Sequence, residues 1–79
     1  MDELERNIFV AVLTMQAFAV LAMAGMPHTA DNVVQAVDFK MKGSDEDRRL
    51  WLSLVREEAE SMLATAALFS KGGQDHSRH

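Results

Sequence analysis

The sequence contains no cysteine, no tyrosine and only one proline and one tryptophan among its 79 residues. Without cysteine there are no disulfides and no thiolate nucleophile, so a domain of this size must be stabilised by packing or by association with other chains. The absence of cysteine also agrees with a reducing compartment. We therefore expect an oligomeric protein with a cytoplasmic location.

Basic residues are scarce, with 8 Lys and Arg against 12 Asp and Glu, which gives a formal net charge of −4. The excess of acid lies in residues 1–39, because residues 40–79 hold as many basic as acidic side chains. Proteins that bind nucleic acid through its phosphates need clustered Lys and Arg, and this sequence has no such cluster. We expect no nucleic-acid partner.

Catalytic motifs are also missing from the sequence. No serine lies in a glycine-flanked turn typical of hydrolases, and there is no glycine-rich phosphate loop. Glu57 and Glu60 have the spacing that metal-dependent helical hydrolases use, but such sites need a second acidic or histidine motif on a facing helix. His76 and His79 offer two ligands where zinc usually takes three or four. We predict no catalytic residue, no metal, no cofactor and no enzyme activity.

The segment Ile8–Met26 contains no charged residue. An uncharged run of this length is a candidate for a membrane span. Its strong hydrophobes are interspersed with alanine, and Thr14 and Gln16 lie near its middle, so insertion into a bilayer would be only marginally favourable. A helix that is apolar nearly all round is buried either in lipid or in protein, and we favour protein.

Apolar side chains of this first helix fall into two stripes when 100° is allowed per residue. One stripe consists of Leu4, Ile8, Ala11, Met15, Phe18 and Ala22, and the opposite stripe consists of Phe9, Leu13, Ala17, Val20 and Ala24. Two stripes need two sets of neighbours, and so short a chain has few other apolar residues to supply them. We therefore predict a homodimer with the second stripe as its core.

The bounds of the first helix follow from its end signals. Asp2, with Glu5 three residues later, resembles a capping box, and acidic side chains suit the positive end of the helix dipole. Gly25 fits the left-handed position after a helix, and Pro27 cannot continue one. These signals predict a helix from about Glu3 to Ala24.

The second element, residues 32–42, is ambiguous. Its apolar residues fit one helical face, with Thr29 or Asp31 as the cap, whereas the alternation from Val37 to Lys42 is typical of a half-buried strand. A lone strand would lack a partner strand, so the sequence favours a helix.

The third element begins at Ser44, which precedes three acidic residues and resembles an N-cap. We expect a helix to about Lys71, ended by the Gly72–Gly73 pair, with ion pairs Asp45–Arg49 and Arg56–Glu60 at helical spacing. Its apolar stripe consists of Leu52, Val55, Ala59, Met62, Ala66 and Phe69, widened by Trp51 and Leu63. This stripe suits antiparallel packing on the first helix. Residues 1–71 then form a single helical domain, and residues 72–79 form a flexible polar tail.

Leu50 and Leu54 point away from the stripe of the third helix and Trp51 lies at its edge, and clustered apolar side chains on a surface often mark an interface. Methionine in particular adapts to varied partners. The predicted partner-binding residues are Leu50, Trp51, Leu54, Met26 and Met41.

Together these features predict an all-α protein, a small bundle of two long helices joined by a short helical segment and completed by homodimerisation. Small acidic helical chains without a catalytic motif are typical of regulatory adaptors, chaperones or inhibitors, including phage- and plasmid-encoded ones. We expect binding to another protein. The alternatives are a single-span membrane protein with residues 8–26 in the bilayer and, third, a metal-dependent helical hydrolase.

Overall fold

The computed structural model describes the backbone of residues 2–77 and the side chains of residues 2–70. The described chain forms three helices, α1 (Glu3–Ala24), α2 (Ala30–Lys40) and α3 (Asp45–Ser77), and contains no strand. The predicted small all-α bundle of two long helices and a short one is confirmed. The strand alternative for residues 32–42 is wrong, because α2 occupies most of that segment.

The ends of α1 are set by local hydrogen bonds. The carboxylate Oδ1 of Asp2 accepts a hydrogen bond from the backbone N–H of Glu5 at 2.8 Å, which satisfies one of the free amides of the first turn. At the other end Gly25 adopts a left-handed conformation with φ 68°, and its N–H donates to the carbonyl of Ala22 at 3.2 Å. Both predicted signals are confirmed.

The turn between α1 and α2 is held by two side chains. The hydroxyl of Thr29 accepts from the backbone N–H of Asn32 at 3.1 Å, so Thr29 and not Asp31 is the N-cap. The Nδ2 of Asn32 donates in return to the carbonyl of Pro27 at 2.9 Å. These bonds fix the direction in which α2 leaves the turn and folds back along α1.

The third helix starts where the sequence predicts, because the Oγ of Ser44 accepts from the backbone N–H of Asp47 at 3.2 Å. Its backbone continues to Ser77, beyond the expected end at Lys71 and through the Gly72–Gly73 pair. The flexibility predicted for residues 72–79 stays a prediction, since their side chains, including those of His76 and His79, lie outside the described part of the chain.

Two ion pairs join α2 to α3. The Nη1 of Arg56 lies 2.7 Å from Oδ1 of Asp31, and the Nε of Arg48 lies 3.3 Å from Oδ1 of Asp38. Residues early in α2 thus pair with residues later in α3, which means that the two helices run antiparallel. Both pairs are exposed and stabilise the fold by at most about 1 kcal/mol each.

Because α2 also folds back along α1, α1 and α3 run in the same general direction, and Phe9 near the start of α1 packs on Trp51 near the start of α3. The antiparallel packing predicted for these two helices is wrong, because the short helix between them reverses the chain twice.

The observed ion pairs replace those predicted within α3. Asp45 is bound by Arg48 at 3.4 Å instead of by Arg49. Arg56 reaches across to α2 instead of pairing with Glu60. Both predictions were wrong. Asp45 pairs with the residue three positions later instead of four, and Arg56 pairs with a carboxylate of α2, which the spacing within α3 does not reveal.

The core lies where all three helices meet. Its buried apolar residues are Val10, Ala17, Leu21, Val33, Val37, Val55 and Ala59. Thr14 is fully buried among them, and its Oγ1 donates to the carbonyl of Val10 at 2.7 Å within the helix. Burial of this hydroxyl therefore leaves no unsatisfied hydrogen bond.

The inward face of α1 lies between the two predicted stripes. Its centre is the series Val10, Thr14, Ala17 and Leu21. Most of the first predicted stripe faces outward, since Leu4, Ile8 and Met15 are 68%, 56% and 55% exposed. Angular periodicity could not select the inward face, because apolar side chains surround α1 on every side.

Only the first half of the stripe predicted on α3 is packed against the other helices. Val55 and Ala59 are buried, whereas Ala66 and Phe69, further along the helix, are exposed. A 33-residue helix is about 50 Å long and α1, with 22 residues, about 33 Å. The later part of α3 therefore extends past the helices that cover its start.

Candidate functional site: two apolar surfaces of the first helix

The side of α1 that faces away from the bundle is apolar from Leu4 to Met23, apart from the exposed Glu5 at its edge. We call it the outward stripe, and it consists of Leu4, Ile8, Val12, Met15, Ala19, Ala22 and Met23. The exposed fraction of its large side chains ranges from 39% at Val12 to 82% at Met23. With a rise of 1.5 Å per residue the outward stripe is about 28 Å long.

A strip of that length and about 10 Å width is as large as the main apolar patch of a typical small protein. Where a patch of this size has a function, it is covered by another protein or by a membrane. The outward stripe is therefore the first candidate for a functional surface.

The second candidate is a groove between α1 and α2 with a volume of about 230 Å³. The residues that line this groove are Phe9, Leu13, Gln16, Ala17, Val20, Ala36, Val37, Lys40, Met41 and Lys42. Apolar side chains form most of this surface. It exists because α2 folds back along α1 without filling the space beside the small side chains of Ala17 and Ala36.

The residues predicted as a dimer core are divided between the groove and the fold of the single chain. Phe9, Leu13, Ala17 and Val20 line the groove, and Ala17 is only 4% exposed, while Ala24 is exposed at the end of α1. A dimer core at these positions stays a prediction. The outward stripe, in contrast, is open along most of α1 in the single chain.

The predicted partner-binding residues do not form one surface. Trp51 is half-buried with its ring against Phe9, and Leu54 is half-buried against the core. Leu50 is 54% exposed on α3, Met41 lines the groove, and Met26 lies in the α1–α2 turn with 43% exposed. The structure thus places Trp51 against Phe9 and Met41 in the groove that Phe9 also lines, whereas Leu50 and Met26 lie elsewhere.

Sequence reasoning missed the two lysines of the groove. Lys40 and Lys42 line it, and among residues 2–70 neither forms an ion pair. No acidic residue is among the lining residues, although the chain as a whole has a net charge of −4. The only signal in the sequence is that the two lysines flank Met41. This signal is weak because the groove forms only when two helices come together.

A metal site has no structural support in the described part of the chain. Among those residues, no group of three or more His, Asp or Glu side chains is placed to hold a metal ion. Glu57 lies beside Glu58 in a shallow depression of about 150 Å³, together with Asn7, Val10 and Leu54. Neither Glu57 nor Glu60, the pair considered for a metal-dependent hydrolase, belongs to such a group, and that hydrolase would require a second acidic or histidine motif on a facing helix.

The first helix also satisfies the length and composition of a membrane span. Among the described residues α1 alone does so, and the chain itself buries only 22% of an 18-residue apolar window within it. Core helices of soluble proteins are mostly buried, so this low fraction shows again that α1 lacks a cover on one side.

No family model, no curated protein and no solved structure matches this chain. The function proposed below therefore rests on the geometry of the two apolar surfaces.

Proposed function

We propose that the chain is a non-enzymatic protein-interaction module of the adaptor, chaperone or inhibitor type that acts as a homodimer. The observation that supports this proposal is the outward stripe, an uncharged surface along all of α1 that the chain leaves uncovered. Burial of apolar surface contributes about 25 cal/mol per Å², part of which offsets the cost of association, so covering the outward stripe favours a dimer.

A second copy of α1 is the occupant that fits the outward stripe best. In a two-fold symmetric dimer each stripe covers the other over its full length. The small side chains of Ala19 and Ala22 allow close approach of the two helices. Antiparallel pairing places Asp2, Glu3 and Glu5 of one chain far from the same residues of the other, so their charges do not repel.

The dimer leaves other apolar side chains free for a different protein. Phe39 at the end of α2 is 92% exposed and Leu50 near the start of α3 is 54% exposed. The Arg48–Asp38 ion pair holds these two helix ends together. We assign the protein partner to this end of the bundle, because both side chains are large and apolar.

The test is sedimentation equilibrium in buffer without detergent over a range of protein concentrations. We expect a dimer for the natural sequence and a folded monomer for the double variant Ile8→Glu/Met15→Glu, since carboxylates in the interface would be desolvated without partners. Gln35→Glu adds a charge on the exposed side of α2 and should leave the dimer intact. A monomeric natural protein, or a dimeric double variant, would contradict the proposal.

The second candidate is a single-span membrane protein, favoured by the length and composition of α1 and by its low burial. If the natural protein is recovered only with detergent, and Gln16→Leu strengthens its partition into vesicles, the membrane proposal replaces the dimer. We expect instead that Gln16→Leu remains soluble, because Gln16 lies at the groove and not on the outward stripe.

A further inference from the structure

We propose that the groove between α1 and α2 is a binding site for a straight-chain carboxylate of medium length, with the alkyl chain between the helices and the carboxylate at Lys40 and Lys42. This site goes beyond the interaction module proposed above. It lies within one chain, so it does not depend on the dimer.

The body of the groove suits an alkyl chain. The lining has six apolar side chains from the two helices, that of Met41 directly after α2, and only one neutral polar side chain, that of Gln16. Ala17 and Val37 at its floor are each 4% exposed. An unbranched chain entering this space would contact apolar atoms on both sides and displace water that has few hydrogen-bond partners there.

The charge of the groove selects an anion. Lys40 and Lys42 are the charged residues of the lining, and neither is neutralised by an ion pair among residues 2–70. Because α2 folds back from its turn with α1, these later residues lie toward the Phe9 end of the groove. The positive charge is thus at one end of an apolar space, which matches the two ends of a carboxylate amphiphile.

The volume limits the length of the chain. A groove of about 230 Å³ holds roughly eight groups the size of a water molecule, each of which takes up about 30 Å³. That is a chain of about eight to ten carbons, with any further length extending into solvent. A whole peptide helix is about 10 Å wide and is too large for this space.

The structure supplies its own probe for the test. Trp51 is the single tryptophan of the chain, and its ring lies edge-on to that of Phe9, a lining residue, with centroids 5.2 Å apart. A ligand in the groove touches Phe9 and should change the fluorescence of Trp51. Decanoate is titrated below its micelle concentration, with decanol as the matched neutral ligand.

We expect decanoate to bind about tenfold more tightly than decanol, because its carboxylate accepts charge-assisted hydrogen bonds from the lysines at a partly exposed site. Lys40→Gln and Lys42→Gln should each reduce that preference, whereas Arg49→Gln, which removes a charge from α3, should not. Ala36→Leu fills the groove and should weaken binding of both ligands. Circular dichroism confirms that each variant keeps its helices.

Three outcomes would overturn the proposal. Equal affinity for decanoate and decanol would remove the role of the lysines. Unchanged binding in Ala36→Leu together with loss in Ile8→Glu would place the alkyl chain on the outward stripe. Fluorescence that responds to an acidic helical peptide but not to decanoate would assign the groove to a protein partner.

Discussion

The rings of Phe9 and Trp51 meet edge to face, with centroids 5.2 Å apart and planes inclined by 72°. Phe9 belongs to α1 and Trp51 to the first half of α3, so the pair joins the two long helices directly. Phe9 is also 43% exposed and lines the groove, so one side chain contributes both to packing and to the proposed ligand site. The aromatic pair therefore connects the packing of the bundle with the binding of a ligand in the groove.

This pair should show a measurable coupling energy. In a double-mutant cycle of Phe9→Leu and Trp51→Leu we expect a coupling of about 0.5 to 1 kcal/mol, the lower part of the range for aromatic pairs because Phe9 is partly exposed. The measurement is urea unfolding followed by circular dichroism. Phe39→Leu is the control and should change the free energy of unfolding by less than about 0.5 kcal/mol. Additive effects of the two leucine substitutions would show that the rings do not interact.

Truncation in the core should be far more costly than truncation beyond it. Leu21 is 2% exposed in the centre of the bundle, and Leu21→Ala should lower the free energy of unfolding by about 2 to 5 kcal/mol, through lost burial and a residual cavity. Leu68 is 73% exposed on the later part of α3, so Leu68→Ala, the same chemical change, should cost less than about 0.5 kcal/mol. Thermal unfolding compares the two, and equal losses would mean that α3 is packed along its whole length.

The hydroxyl of Thr14 can be tested by an isosteric change. Thr14 is fully buried and bonds only to the carbonyl of Val10 in the preceding turn, which already accepts a helical hydrogen bond. Thr14→Val removes the hydroxyl with little change of shape, so we expect a neutral or slightly stabilising effect, within about 1 kcal/mol. Thr14→Asn should destabilise, because its larger polar group has no partner at this position. A strong loss in Thr14→Val would point to a second partner for the hydroxyl.

The parts of the fold that depend on local chemistry could be predicted from the sequence. Asp2 and Ser44 were recognised as caps because a cap acts on amides three residues away. Thr29 remained one of two alternatives, since both it and Asp31 precede suitable amides. The helical state of α2 followed from consistency with the rest of the chain, although Val37–Lys42 alternates like a strand.

The surfaces that define the candidate sites could not be predicted, for two physical reasons. An all-round apolar helix carries no angular signal, so only packing against α2 and α3 decided that Val10 and Leu21 face inward while Ile8 faces outward. The groove depends on how closely two helices approach, which the sequence does not state. That Lys40 and Lys42 line this groove depends on the position of α2 beside Phe9, which the sequence alone does not give.

Leu50 and Leu54 are one turn apart on α3, and replacing each by glutamate should affect the free energy of unfolding very differently. Leu54 is half-buried against the core and lies with Glu57 and Glu58 around a shared depression, so Leu54→Glu would place a third negative charge in a partly desolvated position. We expect it to lower the free energy of unfolding by about 2 kcal/mol or more. Leu50→Glu, at a 54% exposed position, should keep helicity and stability.

A second substitution separates the two causes of the loss at Leu54. Leu54→Gln has the shape of the glutamate variant but no charge. It should lose the free energy that comes from burying the leucine side chain, without the additional loss caused by a partly desolvated carboxylate. Circular dichroism of all three variants during urea unfolding gives the comparison. If Leu54→Glu were as stable as Leu50→Glu, Leu54 would belong to the open surface of α3, and the packing of α1 against this part of α3 would have to be revised.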